Sequence, residues 1–339
     1  MVIDIHGHVS APPELYAYQA ALIASRGYHG KGQVQADEEK IVEAARSHVA
    51  RLGGFGIDHQ LISPRPFALM HSQQPAKIVH WFIEQANDII AQQVRAYPEV
   101  FSGVAGLPQA HGSSPANVVA ELGRCINELG FVGCILNPDP GEGEGYTPPL
   151  GDEYWYPLYE KMSELDVPGL IHSAGCRNPR ESYSGHFITE ESIAILSLVE
   201  SRVFDDFPSL RLIVSHGGGS IPYQIGRWRA QRITRKARPF DESLRQLWFD
   251  TVLYSPESLE LLFRIVGTDR CLFGTETPGI GSAIDPETGR ALDDLRPVVD
   301  AIEWLSDAQR AAIFEQNARS VFTKLPVAHA ATVEGGLVE

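Results

Sequence analysis

Cysteine is scarce. Four residues in 339, at positions 125, 134, 176 and 271 with no CxxC pair, provide neither a disulfide framework nor a cysteine-based zinc cluster. Reduced thiols in a cytoplasmic protein, two or three of them in the core, are the expectation. Positive charge is short as well: 28 Lys and Arg against 43 Asp and Glu leave a formal charge of −15. Nucleic acids and anionic membranes both need a basic face, so neither is expected as a partner. No apolar run reaches the roughly 18 residues of a membrane span. The opening Met1-Val2-Ile3-Asp4 has no basic stretch leading into a long apolar one, so a secretory leader is not expected. Neither phosphate-loop pattern, G-x-G-x-x-G or G-x-x-x-x-G-K-[ST], occurs, which disfavours a doubly wound nucleotide-binding sheet. There is no Ser- or Gly-rich linker. One domain over residues 1–325 is therefore expected, followed by a weakly patterned tail, 326–339.

Hydrophobic residues make up 43% of the chain, enough for a sizeable core. Short apolar runs recur at 2–8, 60–66, 102–107, 133–138, 168–173, 211–216, 247–254 and 271–276. Several are continuous rather than alternating, as in parallel strands covered on both faces. Helix-period segments lie between them, at 75–97, 115–129, 192–203, 221–237, 256–266 and 307–316. Strand and helix alternating eight times predict a (β/α)8 barrel, in which the C-terminal strand ends converge on one site. Three long loops, 10–35, 139–151 and 277–293, follow the first, fourth and eighth strands and fall on that same face.

The histidines carry the chemistry. His6 and His8 end the first strand as His-x-His, and residues two apart on a strand point to one side. His172 ends the fifth strand, His216 the sixth and Glu276 the eighth. Three imidazoles, His6, His8 and His172, with the Glu276 carboxylate suit one divalent first-row metal; Zn2+ is the first expectation and Mn2+ the alternative. His216 is left free as a general acid/base, with Glu276 counted among the catalytic groups as well as the ligands. Gly217-Gly218-Gly219 after His216 could also build an oxyanion hole, but the G-x-S-x-G elbow that accompanies one is missing. Asn137 stands where some barrel hydrolases carry a metal-bridging carbamylated lysine, which favours a single metal.

Around these groups, Arg65 ends the second strand. Arg177, Arg180, Tyr183 and His186 follow His172, and Arg227 and Arg229 follow His216. Arginines at the mouth of an acidic protein suggest a small carboxylated substrate; Arg65, Arg177, Arg227, Tyr183 and His186 are the expected contacts. Cys176, four residues after His172, is read as a bystander thiol. A homo-oligomer is expected.

Taken together, Ile5-His6-Gly7-His8, His172, His216-Gly217-Gly218-Gly219 with Pro222-Tyr223 and Gly226-Arg227, and the closing Asn317-Ala318-Arg319-x-x-Phe322 resemble the amidohydrolase superfamily, in the branch typified by aminocarboxymuconate semialdehyde decarboxylase. The similarity spans residues 1–325. Most members of that branch end the eighth strand with Asp; this chain has Phe273-Gly274-Thr275-Glu276. With Leu136-Asn137-Pro138-Asp139-Pro140 and Ile284-Asp285-Pro286-x-Thr288-Gly289, this is similar to lignin-catabolism members that act on ring-fission products, the zinc-dependent C–C hydrolases and the oxalomesaconate hydratases. The resemblance implies His6, His8, His172 and Glu276 as zinc ligands, His216 as acid/base, and Arg65 and Arg227 as carboxylate contacts. Hydrolytic cleavage of a C–C bond in a carboxylated meta-cleavage product is the first expected activity, because His8-Val9-Ser10-Ala11-Pro12 and Ser63-Pro64-Arg65-Pro66-Phe67 look nearer the hydrolases and Cys176 has no clear match to the loop cysteine implied for the hydratases. Hydration of an oxalomesaconate-like dienoate, or non-oxidative decarboxylation of an aromatic or muconate-type acid, are the alternatives.

Overall fold

The computed structural model describes residues 1–326, so the expected tail lies almost entirely outside the described residues. Eight strands, β1 (Ile3–His8), β2 (His59–Ser63), β3 (Phe101–Ala105), β4 (Gly133–Leu136), β5 (Gly169–Ile171), β6 (Leu212–Val214), β7 (Trp248–Asp250) and β8 (Cys271–Leu272), pair in sequence order, every pair parallel. The circle is closed by two backbone hydrogen bonds, from Ile5 N to Phe273 O (2.9 Å) and from Glu276 N to His6 O (2.7 Å). This is the expected (β/α)8 barrel.

Every expected strand exists, but the ladders stop short of the predicted ends. Pairing ends at Ile171, Val214 and Leu272, so His172, His216 and Glu276 lie just past their strands. There the chain curls out of the ladder: His216 has φ +50° and Glu276 φ +61°, a left-handed conformation that non-glycine residues seldom adopt and that concentrates at functional sites.

The helices follow from apolar spacing and end signals. In the helix Ala76–Ala96, Ile78, Val79, Phe82, Ile83, Ala86 and Ile90 form the buried stripe. In the helix Glu38–Phe55, the Asp37 carboxylate accepts from Lys40 N, and Gly56 ends it at φ 65°. Two expectations need correction. The long loop 10–35 contains a helix, Pro13–Ser25, with proline in its first turn and Leu15, Tyr18 and Leu22 buried along one face. The helix expected from 192 starts at Tyr183, because the Ser182 hydroxyl accepts from Gly185 N (3.1 Å) and nucleates it earlier. That earlier start places Tyr183 and His186 on a rigid element rather than on a loop. Cys125, Cys134 and Cys271 are buried, Cys176 is half-buried, and none is paired. Among the described residues no helix is long and apolar enough to cross a membrane.

A register shift between Asp4 and Gly7 marks a bulge in β1 beside the His-x-His pair. Gly7 is required there, because a Cβ at this position would lie 2.2 Å from the Gln60 amide carbon. That amide is itself pinned, donating to Asp4 Oδ2 (2.7 Å) and Thr277 O (2.9 Å) and bonding His48 Nε2 through its oxygen (2.7 Å). Gly7→Ala should therefore destabilise the barrel by about 1–3 kcal/mol. The check is a lower urea midpoint at unchanged slope; an unchanged midpoint would mean that Gln60 moves aside without cost.

Candidate metal centre and active site

Each imidazole is held by one nitrogen. His6 Nδ1 bonds Asp250 Oδ2 at 2.6 Å, His8 Nδ1 bonds Ser63 Oγ at 3.0 Å, and His172 Nδ1 donates to Ser173 O at 2.5 Å. These bonds use Nδ1 in all three rings and leave Nε2 pointing inward. The three Nε2 atoms are buried and have no hydrogen-bond partner. Orphaned buried polar atoms are rare and need an explanation. Here they converge: the ring centroids of His6, His8 and His172 are 5.0–5.5 Å apart. Glu276 Oε1 is 3.9 Å from His8 Nε2 and 3.8 Å from His172 Nε2. These gaps are too wide for hydrogen bonds, but they suit donors that share an ion, which a tetrahedral metal with ~2.1 Å bonds spaces roughly 3.4 Å apart.

The electrostatics agree. Burial holds His6 below its ordinary pKa, against the pull of Asp250, and holds His8 well below, so both rings favour the neutral form that binds metal. Burial alone would raise Glu276, but the facing imidazoles of His172, His216 and His8 hold it well below the carboxylate range. Its second oxygen, Oε2, accepts from the Tyr254 hydroxyl at 2.6 Å. Three imidazoles with bare Nε2 atoms and one carboxylate, all buried, could hold a divalent first-row metal.

His216 lies beside this group with its Nε2 3.6 Å from Glu276 Oε1. Its Nδ1 is bonded to both oxygens of buried Glu191, at 2.8 and 3.0 Å. Burial acts to lower its pKa, but the Glu191 carboxylate outweighs this and lifts it well above the ordinary value. This is a carboxylate-oriented imidazole with one nitrogen facing a cavity, the arrangement of a proton-transfer group. The cavity, about 630 Å³, is lined by His8, His172, His216 and Glu276 at its base and by Arg65 and Tyr183 among its walls. Phe67, Phe187, Ile188, Val252, Leu253 and Ile280 make most of the remaining wall apolar. Arg65 is held at the rim by donation from Nη1 to Pro278 O (2.9 Å).

Three expected substrate contacts lie elsewhere. Tyr183 and Phe187, four apart on their helix, face the cavity; His186, between them, faces away and lines a different cavity with Asp139 and Glu190. Arg227 is exposed on the helix Ile225–Arg235, in a groove with Gln224, Trp228 and Gln231. Ile225 is that helix's buried residue, and two positions further the side chain has rotated ~200° towards solvent. Arg177 is captured by the acidic loop: its Nε lies 3.4 Å from a Glu144 oxygen, and its Nη1 donates to Ser72 Oγ at 3.2 Å. Arg180 is exposed, and Arg229 pairs with Asp241 at 2.6 Å. Cys176 lines no part of the metal cavity.

Sequence reading missed Asp250, Ser63, Glu191 and Tyr254, which orient the ligands and the base. Asp250 ends β7 and Ser63 ends β2, where a barrel exposes functional groups, and this was the available signal. Glu191 sits mid-helix and carries no signature.

A 2-keto-4-carboxy-3-hexenedioate hydratase from Sphingobium sp. is 39% identical over 332 residues, covering 96% of this chain and 97% of the relative. Among solved structures, the 4-oxalomesaconate hydratase of Rhodopseudomonas palustris superposes with a TM-score of 0.88 at 30% identity, covering 96% of each chain. A dihydroxybenzoic acid decarboxylase from Polaromonas sp., solved with bound manganese and the inhibitor 2-nitroresorcinol, gives a TM-score of 0.70 at 25% identity and covers 95% of this chain and 96% of that one. Residues 3–324 match the family described as Amidohydrolase, and the chain belongs to that family.

Proposed function

We propose that the protein is a metal-dependent hydratase that adds water across a C=C bond of a small, carboxylated, conjugated keto acid of the 2-keto-4-carboxy-3-hexenedioate or oxalomesaconate type. The observation that carries this reading is the 39% identity to a hydratase along nearly the full length of both chains. It replaces C–C hydrolysis as the main expectation, since the closely similar relatives act as hydratases and, further off, as decarboxylases. The misplaced Cys176 had argued against hydration, but a water-adding site here can be built from His216 without a thiol.

In this reading His6, His8, His172 and Glu276 hold Zn2+, with Mn2+ as the alternative. The chemistry the ion supplies when bound is Lewis acidity, which draws electron density from a substrate oxygen conjugated with the double bond. The protein supplies the rest. Arg65 pairs with a substrate carboxylate at the rim, and the apolar walls accommodate the carbon skeleton while excluding bulk water. Glu191 keeps His216 as the imidazolium, whose Nε2 proton goes to the α-carbon as the π pair moves there. The water oxygen bonds to the β-carbon and its proton returns to Nε2, so H and OH are added overall and the imidazolium is restored.

Three outcomes follow. Incubated with such a keto acid, the purified protein should yield one product heavier by one water, seen by mass spectrometry. Two carbon fragments would restore the hydrolase reading, and a product lighter by carbon dioxide would point to decarboxylation. Chelation should abolish turnover, with recovery on adding Zn2+ or Mn2+; full activity in a protein shown to be metal-free would refute the assignment. His216→Asn should lower kcat by about 10²–10⁴-fold while metal content stays at the wild-type level. Loss of metal in that variant would make His216 a ligand instead.

A further inference from the structure

Behind the catalytic cavity, on the opposite face of the helix Tyr183–Glu200, lies a second cavity of about 580 Å³ lined in part by Asp139, Glu181, His186 and Glu190. It shares no lining residue with the first. His186 is completely buried, and its Nε2 has no hydrogen-bond partner. Nothing in the proposed reaction uses it. Its Nδ1 is bonded to Glu181 Oε2 at 2.8 Å, so the free nitrogen is the one facing the cavity. This repeats the pattern of His6, whose Nδ1 is held by a carboxylate while Nε2 is left bare.

Two carboxylates meet that nitrogen. Asp139 Oδ2 is 3.8 Å from His186 Nε2, and the donor atoms of Asp139, His186 and Glu190 all lie within 4.8 Å of one another. His186 and Glu190 are four apart on one helix, so they project together. Asp139 is fixed beforehand: its oxygens accept from Gly141 N (3.0 Å), Gly143 N (2.6 Å) and Thr147 Oγ1 (3.0 Å). The carboxylates are not neutralised by any arginine or lysine of the cavity wall. We propose that Asp139, His186 and Glu190 form a second divalent-cation site, distinct from the catalytic centre, that clamps the loop 139–151 to the helix Tyr183–Glu200. One nitrogen and two carboxylate oxygens, with water filling the remaining positions, suit Mn2+ or Zn2+. The Cys176 thiol groups with Glu181 and His186 rather than with Asp139 and Glu190, and Glu181 already holds the ring's Nδ1.

The site would brace the element that carries Tyr183, Phe187 and Glu191, so its occupancy reaches the catalytic cavity through a rigid helix. The test is calorimetric titration of the purified full-length holoenzyme with MnCl2, alongside metal analysis. Wild type should take up a further equivalent of Mn2+ beyond the one at the catalytic centre, with a rise in Tm. Glu190→Gln, nearly isosteric and partly exposed, and His186→Gln should each lose that equivalent and its Tm rise while keeping the first. Glu181→Gln should keep the stoichiometry with affinity about 10–100-fold weaker, since it only orients the ring. His8→Ala should lose the catalytic equivalent alone; failure of that arm would count against the catalytic assignment and leave this one standing. A wild-type protein saturated by one equivalent, or a further equivalent surviving both Glu190→Gln and His186→Gln, overturns the proposal.

Discussion

Three imidazoles buried in a barrel, each tied through Nδ1 and bare at Nε2, are costly to leave without a partner, because a desolvated nitrogen with nothing to bond loses what water gave it. The fold nevertheless goes to some length to keep them so. Two of the three Nδ1 anchors, Asp250 and Ser63, come from the ends of β7 and β2, and the third is the carbonyl of Ser173 beside His172 itself. Asp250 is in turn held by Gly217 N (3.0 Å) and Val252 N (3.2 Å). The barrel closure serves the same end: the bond from Glu276 N to His6 O ties the carboxylate's own backbone to the first histidine. Ligand positions are thereby fixed by anchoring groups that are themselves held in place, which is what a preformed metal site requires.

The helix Tyr183–Glu200 connects the parts of this architecture. Tyr183 and Phe187 form a cavity wall, Glu191 holds His216, and His186 with Glu190 looks the other way. A single rigid element thus sets the position of the base, the shape of the substrate wall and the geometry of the rear cavity. Each of these assignments rests on 3.6-residue periodicity from a common start at Ser182, so a one-residue shift in that cap would misplace all of them.

What the sequence displayed and what it hid differ in kind. Strand number, parallel order and the group His6, His8, His172 and Glu276 were legible, because strand-end position in a repeating β/α pattern maps directly onto one face of a barrel. The helix Pro13–Ser25 was read as loop despite Pro13 and the spacing of Leu15, Tyr18 and Leu22, because the glycines at 27, 30 and 32 that follow it carry the signal of a loop. Residues past the end of a strand are harder. His186, Arg177 and Arg227 all follow strand ends closely in sequence, yet helix rotation or capture by Glu144 takes them out of the cavity. Proximity along the chain stops implying proximity in space once a helix has begun. Glu191 and Tyr254 were not legible because their partners are hundreds of atoms away along the chain and no local pattern marks them.

The choice of Glu rather than Asp after β8 has a physical reading in this cavity. Glu276 sits at φ +61° and presents Oε1 to the imidazoles while Oε2 is occupied by the Tyr254 hydroxyl. One oxygen is therefore already bonded, and the other is the one that would meet an ion. The group looks into the apolar cavity, where Arg65 is the one arginine or lysine among the lining residues. In a chain of net charge −15 the long-range field repels an anionic substrate, so attraction has to come from within the cavity. In the proposed reaction a carboxylated keto acid would meet Arg65 at the rim and the metal-competent group deeper in, with apolar walls between them, an arrangement that would favour a short skeleton charged at both ends.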